Sequence, residues 1–212
     1  MCSSDLNKWL FEAWSKSDES LSFSSLRIPN VFGPFCKPNY NSFIATFCYK
    51  IINNEELNVS DSNIELIYVQ NLCKQIVDII REKSDELSYK IESDIIQSVK
   101  SIHSTLLDFK KKYIDNNIIP ALPRDFDVNL FNTFRSYIED RIVTMDNHLD
   151  DRGYLSETIK TNAGGQSFFS TTKPGYIRGQ HFHMRKLERF CVLDRKSTRL
   201  NSSHQIISYA VF

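Results

Sequence analysis

LRIPNVFGPFCKPNYNSFIATFCYKI, running from Leu26 to Ile51, packs three kinds of local signal into one short stretch. The residues leading into it, Leu21–Ile28 (LSFSSLRI), alternate apolar and polar side chains as a strand does, and Pro29 ends the run. NVFGPFCKPNY then reads as turn-rich, because Gly33, Pro34 and Pro38 break regular structure. From Asn41 to Ile52 the spacing becomes helical, with Phe43, Phe47 and Ile51 on one stripe. A strand, an irregular loop and an amphipathic helix in that order form the repeating unit of an α/β domain.

The same alternation continues on both sides. Upstream, Lys8–Lys16 places Trp9, Leu10, Ala13 and Trp14 at helical spacing and predicts the end of an amphipathic helix. Downstream, IELIYV (Ile64–Val69) predicts a buried strand, followed by a helix with Leu72, Ile76, Ile79 and Ile80 on its apolar face. A short strand (LSYKI) comes next, then a long helix from about Ser93 to Tyr113, whose Ile95, Val99, Ile102, Leu106 and Phe109 keep the 3.6 period. A last helix is expected at Asn129–Glu139. After Met145 the texture changes to short alternating runs broken by Gly164-Gly165 and Pro174-Gly175, the pattern of an all-β unit. The expected organisation is therefore an α/β part joined near residues 140–147 to a separate β domain, with no internal repeat.

Composition bounds the function classes. The 212 residues carry 26 Lys+Arg and 26 Asp+Glu, a balance that gives no electrostatic footprint for nucleic acid. No apolar run approaches the ~18 residues of a membrane span, and no signal peptide is expected at the start. Five widely spaced cysteines (Cys2, Cys36, Cys48, Cys73, Cys191) without a CxxC pair read as reduced thiols of a cytoplasmic protein. The two ends stand apart. DRKSTRLNSSHQIISYAVF, Asp194–Phe212, resembles the translation of a short-read sequencing adapter, and CSSDL, Cys2–Leu6, resembles its other arm. Residues 1–6 and 194–212 are accordingly expected to be adapter-derived. Setting them aside removes three basic and two acidic residues, so the charge balance survives.

Arg27-x-x-Asn30-Val31-Phe32-Gly33-Pro34 resembles the R-x-x-N-V-[FY]-G-P segment of extended short-chain dehydrogenase/reductases acting on nucleotide sugars. The longer string through Cys-Lys-Pro-Asn-Tyr-Asn-Ser and Ala-Thr-Phe-Cys-Tyr is similar to the capsular-polysaccharide assembling reductases of CapF type. The resemblance places Asn30 at the border of the nicotinamide–sugar pocket and makes Lys37, Asn39, Tyr40 and Asn41 substrate-binding. A cation and amide donors suit a diphosphate, and Asn and Tyr suit sugar hydroxyls. The family's Y-[IV]-x-D step is matched only in part, since Gln70 and Asn71 stand where it has an acidic pair, although Asn71 can still cap a helix. The chain holds neither a Gly-rich dinucleotide turn nor a Tyr-x-x-x-Lys pair. No catalytic reductase residue is therefore assigned, and both motifs are expected upstream of residue 7.

Gly175-x5-His181-x-His183-x4-Glu188 resembles the first cupin motif, G-x5-H-x-H-x3–4-E. On one strand, residues 181 and 183 share a face; Glu188 returns on the next strand and completes a His2Glu set for a divalent metal. Asp150, Asp151, Arg152, Gly153 and Glu157 fall in the block that matches the start of the CapF-type cupin, which binds zinc. His103 and His148 lack partners at useful spacing, and His204 lies in the adapter-like tail.

The resemblance implies the C-terminal part of a Rossmann-type extended short-chain dehydrogenase/reductase domain of the NAD-dependent epimerase/dehydratase family (7–142). The first strands of an all-β cupin, or jelly-roll, domain (143–193) follow it. The implied activities of the intact enzyme are cupin-catalysed C3 epimerisation of a UDP-2-acetamido-2,6-dideoxy-4-hexulose and NADP(H)-dependent reduction of its 4-keto group, towards N-acetyl-L-fucosamine in capsule or O-antigen. The implied ligands are a UDP-sugar, NADP(H) and Zn2+, with no nucleic acid or membrane, in a homodimer. The 212 residues themselves are expected to be an inactive fragment that holds metal weakly. Two alternatives stay open at this point: another extended nucleotide-sugar epimerase or dehydratase, and a cupin that serves only as a metal-binding dimerisation module.

Overall fold

The computed structural model describes residues 3–18, 23–82, 88–139, 143–178, 188–191 and 207–209. These divide into two compact units: residues 1–144 with 159–167, and residues 145–158 with 168–212. The first is mixed α/β. It opens with α1 (Ser3–Ser15), which begins inside the segment read as adapter-derived. Its Leu6, Trp9, Leu10, Phe11 and Trp14 are all more than half exposed. Strand β1 (Ser25–Arg27) follows, three residues of the longer stretch that the alternation predicts.

The turn-rich reading of Asn30–Tyr40 is corrected at its start. Asn30–Phe32 forms a strand, β2, that pairs parallel with Leu66–Tyr68 of β3 (Asn63–Tyr68). Val31 and Phe32 are strand formers, and the Gly-Pro behind them masks so short a run. Helix α2 (Phe43–Ile52) begins where Ser42 caps it, its hydroxyl accepting the Ala45 N–H at 3.4 Å. Strand β3 leads directly into α3 (Val69–Glu82), after which β4 (Ser88–Lys90) pairs parallel with β1.

The predicted long helix is also corrected. Ile95–Ser98 is a strand, β5, antiparallel to β3, and only from Val99 does α4 (Val99–Phe109) begin. Ile95 keeps the helical period, but the ladder on β3 and the Ser98 cap, whose hydroxyl accepts the Ser101 N–H at 3.1 Å, decide the backbone. A π-helical turn, Lys110–Asp115, ends this segment. Helix α5 (Asp125–Arg135) starts and stops four residues ahead of the predicted bounds. Asp127 sets the start: its carboxylate accepts the Arg124 backbone N–H at 3.3 Å and two guanidinium N–H groups at 2.9 and 2.7 Å.

Two apolar clusters tie these pieces together, a small one of Ile67, Leu72 and Ile91 and a large one built on aromatic rings. Phe32 packs its ring 5.4 Å from Tyr68 and 5.7 Å from Phe126, while Phe131 meets Phe109 at 5.1 Å and Tyr113 at 5.2 Å. Around them Leu66, Ile102, Leu106, Leu130 and Phe134 are fully buried. His103 lies edge-on to Phe47 at 6.0 Å, a packing role and not a ligand's. Cys48 is buried in the same cluster, which pushes its thiol far above the ordinary range and keeps it inert.

The second unit is built on the hairpin of β6 (Asp146–Asp150) and β7 (Gly153–Lys160), with β8 (Gln166–Ser170) beside β7. Gly153 has φ +137°, and a Cβ there would stand 2.4 Å from the Thr171 carbonyl oxygen, so only glycine closes this corner. Strand β9 (Glu188–Phe190) pairs antiparallel with β10 (Ile207–Tyr209), inside the terminal segment read as adapter-derived. A three-residue ladder uses backbone groups alone, which any chain supplies.

Gly33 meets a different limit from Gly153. A Cβ on Gly33 would lie 2.6 Å from Val69 Cγ1, so the turn after β2 presses its backbone onto the start of α3. Gly33→Ala is expected to destabilise the first unit by about 1–3 kcal/mol. Adding Val69→Ala should return part of that loss, as read by chemical denaturation of the two variants.

Candidate functional site

Strand β1 ends at Arg27 opposite Lys90 of β4, so both side chains stand at the C-terminal edge of a parallel pair. Open α/β sheets collect ligands at that edge. There Arg27, Ile28, Pro29, Glu65, Lys90 and Ile91 line a small cleft of about 120 Å³. Lys90 Nζ lies 3.7 Å from the Glu65 carboxylate. Asn30, exposed, sits just past the strand end, and its Nδ2 donates to the Glu65 carbonyl at 3.4 Å. Arg27 and Lys90 were missed as a pair from sequence. Each closes a short strand run, but only the β1–β4 ladder reveals that they are opposite.

The remaining sequence-predicted binding residues lie at the other end of β2. Lys37, Asn39, Tyr40 and Asn41 are all exposed on the loop between Gly33 and Ser42. These four share the loop that follows β2, whereas Asn30 opens that strand. Asn39 takes the left-handed conformation (φ 57°), and its N–H donates to Thr46 Oγ1 at 2.9 Å. Thr46 Oγ1 donates in turn to the Ser42 carbonyl, and Ser42 Oγ donates to the Val31 carbonyl at 3.4 Å. These hydroxyls hold the loop against the first turn of α2, where unpaired N–H groups favour anions.

The loop's first half is held by the residues that follow α5. Phe35 N–H donates to Ser136 Oγ at 3.2 Å, and Tyr137 OH donates to the Cys36 carbonyl at 2.7 Å. Burial pushes the Tyr137 phenol well above its ordinary pKa, so it stays a neutral donor across the working pH range. Ser136 and Tyr137 lie within the stretch read as helix, and no local signal marks them as anchors. Tyr137→Phe is expected to cost about 0.5–1.5 kcal/mol and to speed amide exchange at residues 33–41, as followed by hydrogen–deuterium exchange.

Near the start of Gln70-Asn71 the missing acidic pair is met from elsewhere. Asp94 Oδ2 accepts the Tyr68 N–H at 2.7 Å, and Asp94 Oδ1 accepts Asn71 Nδ2 at 3.0 Å. Asn71 is therefore a donor to this carboxylate, beside the start of α3.

In the second unit, His181 and His183 lie outside the described residues. Glu188 opens β9, of which the backbone alone is described. Among the described residues no group of three His, Cys, Asp or Glu side chains gathers to hold a metal ion. The matched block that precedes them is resolved in detail. Asp150 Oδ1 accepts the N–H groups of Arg152 (3.0 Å) and Gly153 (3.1 Å) and an Arg178 guanidinium N–H (2.9 Å). Its Oδ2 accepts two guanidinium bonds from Arg152, at 2.9 and 2.6 Å. The carboxylate thus fastens the hairpin turn to the segment three residues ahead of His181. Asp151 follows in the exposed turn, and Glu157 is half-buried on β7.

Hydrogen bonding from Arg152 holds the Asp150 carboxyl below the usual range, with the charges of Arg152 and Arg178 acting the same way. A carboxyl with a depressed folded pKa stabilises above its unfolded pKa of about 3.9 and loses that contribution as pH falls through the folded value. The second unit's melting temperature is therefore expected to drop on acidification below about pH 4. Asp150→Asn should flatten that dependence in a thermal melt series.

With this geometry in hand, the similarities to known proteins are specific. The family model of the polysaccharide biosynthesis C-terminal domain matches residues 148–211. Over 175 residues the chain is 33% identical to the UDP-2-acetamido-2,6-beta-L-arabino-hexul-4-ose reductase of Pseudomonas aeruginosa, covering 79% of this chain and 46% of that protein. The chain thus spans about half the length of the curated relative it matches. A crystal structure of CapF with the inhibitor 3-isopropenyl-tropolone superposes with a TM-score of 0.77 at 29% identity, over 96% of this chain and 64% of that one. The capsular polysaccharide assembling protein CapF from Staphylococcus aureus gives 0.72 at 30% identity, over 96% and 57%. Along nearly its whole length the chain is CapF-like, as the motifs of Leu26–Ile51 and Asp150–Glu188 imply.

Proposed function

We propose that this chain is part of a bifunctional nucleotide-sugar enzyme, with the loop Gly33–Asn41 forming one wall of its UDP-sugar site. The observation that carries the reading is the anchoring of that loop. It is tied to α2 through Asn39 and Thr46, and to the residues after α5 through Ser136 and Tyr137. Its exposed cation and amides are therefore held in place before any ligand arrives, which lowers the ordering cost of binding. The similarity to a UDP-sugar reductase and to CapF supports the same assignment.

In this reading residues 7–142 are the C-terminal part of an extended short-chain dehydrogenase/reductase domain, and residues 143–193 begin a cupin. Lys37 neutralises diphosphate charge, Asn39 and Asn41 offer amide donors, and Tyr40 and Asn30 bond sugar hydroxyls. The intact enzyme epimerises C3 of a UDP-2-acetamido-2,6-dideoxy-4-hexulose and reduces its 4-keto group by hydride from NADPH. No residue of this chain is assigned the proton transfer of that reduction, since the chain has no Tyr-x-x-x-Lys pair.

The donor set His181, His183 and Glu188 suits a borderline divalent ion such as Zn2+. A metal held there would polarise the carbonyl beside the epimerised carbon. The role of this chain's own residues is to aim those donors, and the Asp150–Arg178 bond steadies the approach to His181. Residues 1–6 and 194–212 remain, in this reading, adapter translation. A long read across the locus tests that point.

The decisive measurement is calorimetric titration of the 212-residue chain with UDP and with UDP-N-acetylglucosamine. Saturable binding is expected, and Lys37→Ala should weaken it about tenfold through loss of a charge-assisted bond. Binding unchanged by Lys37→Ala, or no binding by the parent chain, overturns the assignment of this loop.

A further inference from the structure

Among the described residues of the first unit Phe35 is the most exposed large apolar side chain, at 85%, and it occupies the left-handed backbone region with φ 64°. A bulky residue is disfavoured there, and a glycine meets the same backbone requirement without the Cβ clash. Among the described residues the Phe35 ring has no aromatic partner and lies outside both apolar clusters. Yet the backbone on either side is fastened, by Ser136 at the Phe35 N–H and by Tyr137 at the Cys36 carbonyl. The fold therefore spends two long-range hydrogen bonds holding an unsheltered ring in a strained conformation. Such strain gathers where a ligand is clamped.

The neighbouring chemistry narrows the ligand. Two residues on, Lys37 offers a cation, and Asn39 and Asn41 offer amides, so the polar needs of a nucleotide sugar are met by the same loop. The phenyl ring has no polar atom and can contribute only its face or edge. The part of a nucleotide that takes such a contact is the planar base. Resting on the nucleotide-sugar reading above, we infer that Phe35 is a ligand-binding residue that stacks against the nucleobase of the bound ligand.

Phe35→Gly separates the ring from the backbone. Its melting temperature is expected to equal or exceed the parent's, because the strain is relieved. Its affinity for UDP and for UDP-N-acetylglucosamine should fall by the same factor, about tenfold, while Phe35→Trp retains binding. If the parent binds UDP and Phe35→Gly binds it within about twofold, the stacking role is wrong and the site assignment stands. A loss confined to the sugar nucleotide moves the contact to the sugar and overturns the base assignment. A lowered melting temperature makes the ring a packing element and likewise overturns it. Failure of the parent chain to bind either ligand removes the site assignment and this inference together.

Discussion

Parallel pairing of three residues, Asn30–Phe32, with Leu66–Tyr68 governs the geometry of the first unit. Backbone bonding alone does not hold so short a strand. Phe32 reinforces it by sinking between Tyr68 and Phe126, and Gly33 by letting the chain pass against Val69 without a side chain. Because β2 is locked at both ends, the polypeptide must change direction at Pro34. The polar loop that follows is delivered to the N-terminus of α2 and not into solvent at random.

From that constraint the rest of the candidate site follows. Ser42 caps α2 and reaches back to the Val31 carbonyl, so the helix start and the strand are one mechanical piece. Thr46, one turn further along, captures the Asn39 N–H. Ser136 and Tyr137 close the other side. None of these four residues carries the chemistry proposed for the loop; together they restrict where Lys37, Asn39, Tyr40 and Asn41 can go. Pre-organisation of this kind matters most for ligands rich in phosphate and hydroxyl groups, whose many small polar contacts are each easily lost to loop entropy. The second unit uses the same device at smaller scale, with the Asp150 carboxylate accepting from a turn and from a distant arginine at once.

Much of this was legible in the residues themselves. The α2, β3 and α3 segments follow directly from periodicity, since each places its apolar side chains at the spacing of the element it forms. The change to β texture after Met145 is equally plain. The misreadings have a common cause. Ile95–Ser98 fits a helical stripe, and Asn30–Phe32 looks like a turn, because both strands exist only through partners on β3. Likewise α5 begins at Asp125 because Asp127 reaches back to Arg124, a contact that outweighs the later apolar spacing.

Sequence by itself determined the types of chemical group present: an Asn-Val-Phe-Gly-Pro motif, a Lys/Asn/Tyr loop, a His-x-His with a trailing Glu, and an apolar periodicity sufficient to name most helices. It determined these because motif spacing and hydrophobic period are local properties of the chain. Only the tertiary structure decided that Arg27 and Lys90 face one another across a parallel ladder, that Asp94 meets the start of α3, and that Tyr137 and Ser136 hold a loop 101 residues away. Those pairings join residues distant along the chain, and no local pattern encodes a partner that folding alone brings within bonding distance.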